Sequence, residues 1–361
     1  MLAHHELPPA ELRMALTALT GNPTDFPADV EVRAIAYPRW HETTAGVYHV
    51  TVPANGAEMV AKVLAKGDGH PSAWPYWRRE ALAYRSGSLP ADELRSPRLL
   101  HVTDQAHDRM ILWLEYVPHA PMNGATPATL ARVATLLGRY HGRLIGSGFT
   151  DPPWSSRPRH EYPEYTDKIA PIDLLAEPAV RSDPAVRAAY APHELNLALV
   201  ARRALPALAA VWEQAPRVLS HRDFVPLNVM APDDAAEVVV IDWGQAGGGP
   251  AGEDLASMIY TLAWQQRWSA ATLAEVEDSC LARYTGALAA SCPDLDIAAV
   301  CRAYRISTAL HTGLLIGRDV ARRRDHAWRA SAGPELPWIL AARAASISRA
   351  LVNIQPIIDR L

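Results

Sequence analysis

Apolar positions change their spacing near residue 120. Before it they fall in short runs, VRAIAYP (32–38), GVYHVTVP (46–53), AEMVAKVLA (57–65), PRLLHV (97–102) and MILWLEYV (110–117). Their β-branched and aromatic content, bounded by turn residues, predicts strands. The Asn55-Gly56 pair between the second and third runs is a hairpin signal. Residues 9–20 have helical spacing, and a second helix is predicted over 73–87. From residue 126 the apolar spacing becomes helical almost throughout, starting with 126–145 behind Thr126 as N-cap. Further helices are predicted over 193–214, 253–268, 271–289, 294–317 and 335–358. Residues 152–184 carry seven prolines and read as an irregular insertion.

This order predicts an α+β chain of two lobes. A small N-terminal lobe, 1–117, would hold an antiparallel sheet with one helix, and a larger, mostly helical lobe would span 118–361. The insertion falls at about 150–190, and the C-terminal helices follow from about 253. A length of 361 residues also exceeds what one core usually needs. Hydrophobic residues make up 49% and charged residues 20%, which excludes a largely disordered chain. The formal charge of −4 leaves no basic excess for nucleic acid.

No stretch approaches eighteen uninterrupted apolar residues, so no membrane span is expected. The start, MLAHHELPPAELRMALTAL, lacks the cationic region and cleavage site of a secretory signal. Cys280, Cys292 and Cys301 are odd in number and lack metal-binding spacing, so buried free thiols in a reducing cytoplasm are expected. No oligomeric state follows from the pattern. Of 35 basic residues only Lys62, Lys66 and Lys168 are lysines. A lysine inside the apolar run MVAKVLA therefore calls for a reason.

The densest chemistry is His221-Arg222-Asp223-Phe224-Val225-Pro226-Leu227-Asn228, of the form H-x-D-x-x-x-x-N. A second aspartate, Asp242, closes the apolar run VVVI fourteen residues after Asn228. Phosphoryl transfer needs such a set. A carboxylate must orient the attacking hydroxyl and take its proton. Hard oxygen donors must hold a cation that neutralises the phosphates.

With HRDFVPLNVM, VVVIDW and GEDLA, the chain resembles the aminoglycoside phosphotransferase and choline kinase-like family. These are small-molecule kinases of the protein-kinase-like fold. The resemblance spans roughly residues 30–260. It implies Asp223 as catalytic base and Asn228 and Asp242 as Mg²⁺ ligands. It also implies His221 and Asp254 as supports of the loop, and ATP or GTP as co-substrate. Lys62 would pair the nucleotide phosphates and Glu80, in WRREALAY, would position it. The phosphate-covering loop would lie at His41-Glu42-Thr43-Thr44-Ala45-Gly46, whose residue types equally suit a hairpin turn. Glu115 and Val117 would offer main-chain groups to the base at the interlobe hinge.

Three features resemble the small-molecule branch of that fold. Position 225 is Val, Trp243-Gly244 follows Asp242, and Asp254 lies only twelve positions after Asp242. That leaves no room for a polypeptide-docking activation segment. The partner implied is a small-molecule hydroxyl acceptor. Residues 300–350 hold nine arginines against three acids, which disfavours a polycationic acceptor; taken with the resemblance, this implies a neutral nucleoside- or sugar-containing antibiotic. A solvated Arg-rich face reads equally well. The role would be resistance or biosynthesis. A metabolic kinase for choline, homoserine or a sugar, and a nucleotide-binding pseudokinase, are the alternatives. Trp154, Tyr162 and Tyr165 are candidate stacking residues, whereas His141 and His311 read as core histidines.

Overall fold

The computed structural model describes residues 8–21, 29–36, 43–67, 69–73, 76–105, 108–118, 121–161, 170–232, 237–324 and 336–361. The chain divides into two compact units. The first comprises residues 1–120, 153–156 and 236–246, and the second comprises 121–152, 157–235 and 247–361.

The first unit runs α1 (Pro9–Thr20), β1 (Glu31–Ala34), β2 (Thr44–Val52), β3 (Ala57–Ala65), α2 (Arg79–Arg85), β4 (Leu94–Arg95), β5 (Leu99–Gln105) and β6 (Arg109–Glu115). Five strands form an antiparallel sheet in the order β1-β2-β3-β6-β5. Alternation along β3 decides what each face meets. Met59, Ala61 and Val63 pack with Leu12, Leu16 and Trp113. Val60 and Leu64 lie on the other face with Trp77, Ala81 and Leu112. Lys62 shares the parity of Val60 and Leu64, so it points to the face that carries α2. The predicted helix over 73–87 begins only at Arg79, beyond Pro75, which cannot sit in a helix interior.

The second unit is mostly helical. It contains α3 (Pro127–Gly146), α4 (Pro178–Ser182), α5 (Pro184–Ala189), α6 (Pro192–Arg203), α7 (Leu205–Glu213), β7 (Arg217–Ser220) and β8 (Val229–Met230). Strand β9 (Val238–Val240) belongs to the first unit and runs parallel to β4. The second unit resumes with β10 (Gly247–Pro250), α8 (Glu253–Gln265), α9 (Ala270–Ser291), α10 (Ile297–Thr308), α11 (Leu315–Arg324) and α12 (Leu336–Ile358). Thr126 caps α3 as its position predicts, its hydroxyl accepting from the Thr129 N–H at 3.2 Å.

Three helical expectations need correction. Residues 193–214 form two helices bent by 66°, because Pro206 removes an N–H and crowds the preceding turn. Residues 294–317 are interrupted by a π-helical turn, Ala309–Gly313, between α10 and α11. The proline-rich insertion is irregular over 152–158, as expected, but its end is helical. Pro178 and Pro184 open α4 and α5, the one helical position where a missing N–H costs nothing.

The core of this unit joins Ile172, Leu195, Trp212, Ile306, Leu351 and Ile354 from the insertion, α6, α7, α10 and α12. Only Cys280 is a buried thiol, since Cys292 and Cys301 are half-buried, and all three are free. Among the described residues no single helix is long and apolar enough to cross a membrane.

One buried acid ties four helices together. Glu277 Oε1 accepts from the Tyr260 and Tyr304 hydroxyls (2.7 and 3.1 Å) and from Asn353 Nδ2 (2.9 Å), while Oε2 accepts from Arg349 Nε at 2.7 Å. Truncation would leave two phenols without their acceptor. Glu277→Ala should lose about 3 kcal/mol in denaturant unfolding with an unchanged m value. A loss under about 0.5 kcal/mol would remove this network from the forces that hold the helices.

Candidate active site

In the first unit, Lys62 meets two carboxylates. Its Nζ lies 2.6 Å from Glu80 Oε2 and 2.6 Å from Asp242 Oδ1. Lys62 and Glu80 are 7% and 3% exposed, while Asp242 keeps 19%. Asp242 is therefore the member open to a ligand. With both carboxylates ionised the trio carries one surplus negative charge, a setting that a divalent cation would neutralise. Burial raises the Glu80 carboxyl, Lys62 lowers it and Asp242 raises it again. Asp242 has φ 65° and ψ 61°, the left-handed region that non-glycine residues avoid. The next residue anchors this turn: Trp243 is buried and its Nε1 donates to the Val240 carbonyl at 3.0 Å.

Arg79 holds this arrangement and escaped the sequence reading. It is fully buried, and it donates to the carbonyls of Trp154, Gly244, Pro71 and Ala73. It thus joins α2, one residue before Glu80, to the turn after Asp242. Its signal was an arginine in the apolar stretch WPYWRREALA. Trp154, a candidate for stacking, is instead buried, and Tyr162 and Tyr165 lie outside the described residues.

Of the phosphate-loop candidates, His41 and Glu42 lie outside the described residues. Thr43 is in a turn, and its carbonyl accepts from the Ala65 N–H at 2.9 Å. Thr44 and Gly46 belong to β2, with a register shift between them. The Tyr48 ring covers Gly46 so closely that a Cβ there would stand 2.6 Å from the phenol oxygen. Glu115 closes β6. Its carboxylate accepts from Arg95 at 2.8 and 3.0 Å, and its N–H is taken by the Arg98 carbonyl. Val117 lies in the extended segment after β6.

In the second unit, β7 leads into the H-x-D segment. Asn228 Nδ2 donates to the Asp223 carbonyl at 2.9 Å and to its Oδ2 at 3.1 Å. That fixes the Asp223 carboxylate and leaves the amide oxygen of Asn228 as a hard donor. The Asp223 N–H donates to His221 Nδ1 at 3.2 Å, and the His221 ring is buried edge-on to Phe224. Asp254, in the first turn of α8, accepts from the N–H groups of His221 (2.8 Å) and Arg222 (2.9 Å). This grip holds Arg222 at φ 63°.

Glu253 lies beside Asp254. Its Oε1 is 3.3 Å from His311 Nε2 and its Oε2 is 3.8 Å from Arg222 Nε. The two adjacent buried acids are driven apart. Burial, and the charge of Glu253, push Asp254 up to about 7 against the pull of its two backbone donors. Burial also opposes ionisation of Glu253, but His311 and Arg222 outweigh it and hold the carboxyl at about 2. His141 is buried with Nδ1 2.7 Å from the Tyr284 hydroxyl, and burial lowers it to about 3. His311 and His141 are thus bonded interior histidines, as expected. Arginines counted toward a positive face have carboxylate partners: Arg302 with Asp296, Arg343 with Asp319 and Arg349 with Glu277.

Residues 40–290 match the phosphotransferase enzyme family (APH). No curated protein sequence matches the chain. Among solved structures, an amicoumacin kinase, hAmiN, in complex with AMP-PNP, Ca²⁺ and Ami, is similar at 13% identity with a TM-score of 0.53. The alignment covers 88% of this chain and 87% of that one. A choline kinase from Cryptosporidium parvum Iowa II is similar at 16% identity and TM-score 0.52, over 97% of both chains. Both share the protein-kinase-like α+β fold.

The raised Asp254 carboxyl predicts a pH dependence. Between pH 4 and 7 the folded chain holds a proton that the unfolded chain has lost. This group's contribution to stability is complete below the unfolded pKa of 3.8 and is lost as pH rises through about 7. Asp254→Asn should flatten that segment of the stability–pH curve measured by denaturant unfolding. An unchanged slope would show that Asp254 does not titrate there.

Proposed function

The chain belongs to the phosphotransferase enzyme family, and we propose that it moves the γ-phosphoryl group of ATP or GTP to a hydroxyl of a small molecule. The observation that carries this reading is the Lys62 ammonium, clasped at 2.6 Å by both Glu80 and Asp242. A buried strand lysine with a helix carboxylate on one side and a half-open carboxylate on the other is built to receive phosphate oxygens beside a cation.

In this reading Lys62, set by Glu80, steadies the nucleotide phosphates. Thr43, Thr44 and Gly46 lie along their path, and Val117 and the Glu115 carbonyl meet the base. Asp242 and Asn228 would hold a divalent cation such as Mg²⁺, and the oxygen donors described above suit a hard ion. When bound, that ion neutralises phosphate charge. Asp223, with Asn228 pinning its Oδ2, accepts the proton of the acceptor hydroxyl through its carboxylate. His221 and Asp254 keep the loop in shape.

The acceptor is proposed as a neutral nucleoside- or sugar-containing antibiotic, with a choline-like or sugar metabolite as second reading. The paired arginines shrink the positive surplus, so charge decides less between the two than the composition suggests. Purified protein with Mg²⁺ and ATP or GTP, offered aminoglycosides, nucleoside or peptide antibiotics and choline-like metabolites, should add one phosphate within one set, read by mass. An aminoglycoside product would overturn the neutral acceptor.

Asp223→Asn should keep nucleotide binding and lose turnover by about 10²–10⁴-fold. Unchanged turnover would remove Asp223 from the chemistry. Lys62→Met should weaken nucleotide binding by about 10- to 100-fold, the loss expected for a charged hydrogen bond. Calorimetric titration with a non-hydrolysable nucleotide measures it, and equal affinity would place the phosphates elsewhere.

A further inference from the structure

Asp223 follows a residue that the chain holds in an unfavourable conformation. Arg222 sits at φ 63°, in the left-handed region that non-glycine residues avoid. Such a conformation persists only where its surroundings over-determine it. Asp254 supplies the backbone half of that restraint by accepting the N–H groups of residues 221 and 222. The side-chain half comes from elsewhere. The Arg222 guanidinium is 2% exposed, its Nη2 donates to the Gly248 carbonyl, and its Nε faces Glu253 Oε2 at 3.8 Å.

A nearby anion stabilises a buried guanidinium, and the Glu253 carboxylate is one that faces it. Glu253 is itself 2% exposed and is seated from two further sides. His311, on the π-helical turn, lies 3.3 Å from its Oε1. Gly249 gives it room: a Cβ there would stand 2.2 Å from Oε2. π-Turns and close glycine approaches are local departures that a fold keeps where a side chain must be aimed.

We propose that Glu253 is a positioning residue for Asp223: its buried carboxylate neutralises Arg222 and so fixes the direction in which the next residue presents its own carboxylate, with His311 and Gly249 fixing Glu253 in turn. The inference rests on the reading of Asp223 as the base. It divides the labour of two neighbouring acids, since Asp254 holds the loop by its amides and Glu253 holds it by a side chain. A residue that merely filled space would be replaced by its amide without loss, because glutamine has the shape of glutamate and lacks its charge.

The test uses the full chain and two readouts. Amide hydrogen exchange over residues 221–225 reports loop order and needs no phosphoryl transfer. Hydrolysis of MgATP, as kcat and KM, reports Asp223. In Glu253→Gln, exchange at Arg222 and Asp223 should rise about tenfold or more, and kcat should fall about tenfold with KM for ATP unchanged. Arg222→Gln added to Glu253→Gln should be less damaging than the two single losses combined, because both members of the ion pair are removed together. If Glu253→Gln does not fold, His311→Asn leaves the ion pair in place and should give a smaller rise confined to the same amides. Wild-type exchange in these variants, or a lowered melting temperature with unchanged loop exchange, would overturn the proposal. A wild type that hydrolyses no MgATP and phosphorylates no acceptor would instead count against the catalytic reading, while the exchange result still decides whether Glu253 orders the loop.

Discussion

A buried charge must meet its opposite, and that constraint shapes both units of this chain. In the first it is the Lys62 ammonium. An ammonium taken out of water and left alone would lose its proton or unfold its strand. Two carboxylates within 2.6 Å prevent that, and each reaches it at a structural cost. Glu80 needs α2 docked on one face of the sheet, and Arg79 docks it through four carbonyls. Asp242 needs a left-handed backbone at the end of β9, and the buried Trp243 secures that turn. In the second unit the same rule joins Arg222 to Glu253, and Glu253 to His311.

What the sequence disclosed follows from which signals are local. The strand runs, the Thr126 cap and the hairpin at Asn55-Gly56 are decided by residues within a few positions of one another. The parity that sends Lys62 toward α2 is also local, and the scarcity of lysine marked it out. Asp223, Asn228 and Asp242 stood out as candidates because their segments resemble a known motif. Helix ends and interruptions were less legible. A single Pro206 broke a helix that apolar spacing made continuous, and the π-turn at 309–313 has no residue type that announces it.

Residues that act through others were the least visible. Arg79 and Glu253 stand beside Glu80 and Asp254, which a motif identifies, yet their partners are far along the chain. The carbonyl of Trp154 lies 75 positions from Arg79, and His311 lies 58 positions from Glu253. The glycine run 247–249 illustrates the same gap. Glycine is depleted in strands, so the composition of this run carries no strand signal. In the structure it is strand β10, paired antiparallel with β7. Its side-chain positions are empty because two carboxylates occupy them: a Cβ on Gly248 would stand 1.9 Å from Asp151 and one on Gly249 2.2 Å from Glu253.

The positions that violate local preference are the informative ones. Among the described residues, three non-glycines have positive φ, and two of them are Arg222 and Asp242. One precedes the candidate base and the other is a candidate cation ligand. Neither conformation is favoured by its own residue, so each must be imposed by tertiary contacts. Those contacts are charged or hydrogen-bonded groups that are themselves buried, and a buried polar contact has few alternative arrangements of similar energy. Burial here serves geometry more than stability. An apolar filling could pack the same space, but it could not hold a backbone in a region the backbone avoids.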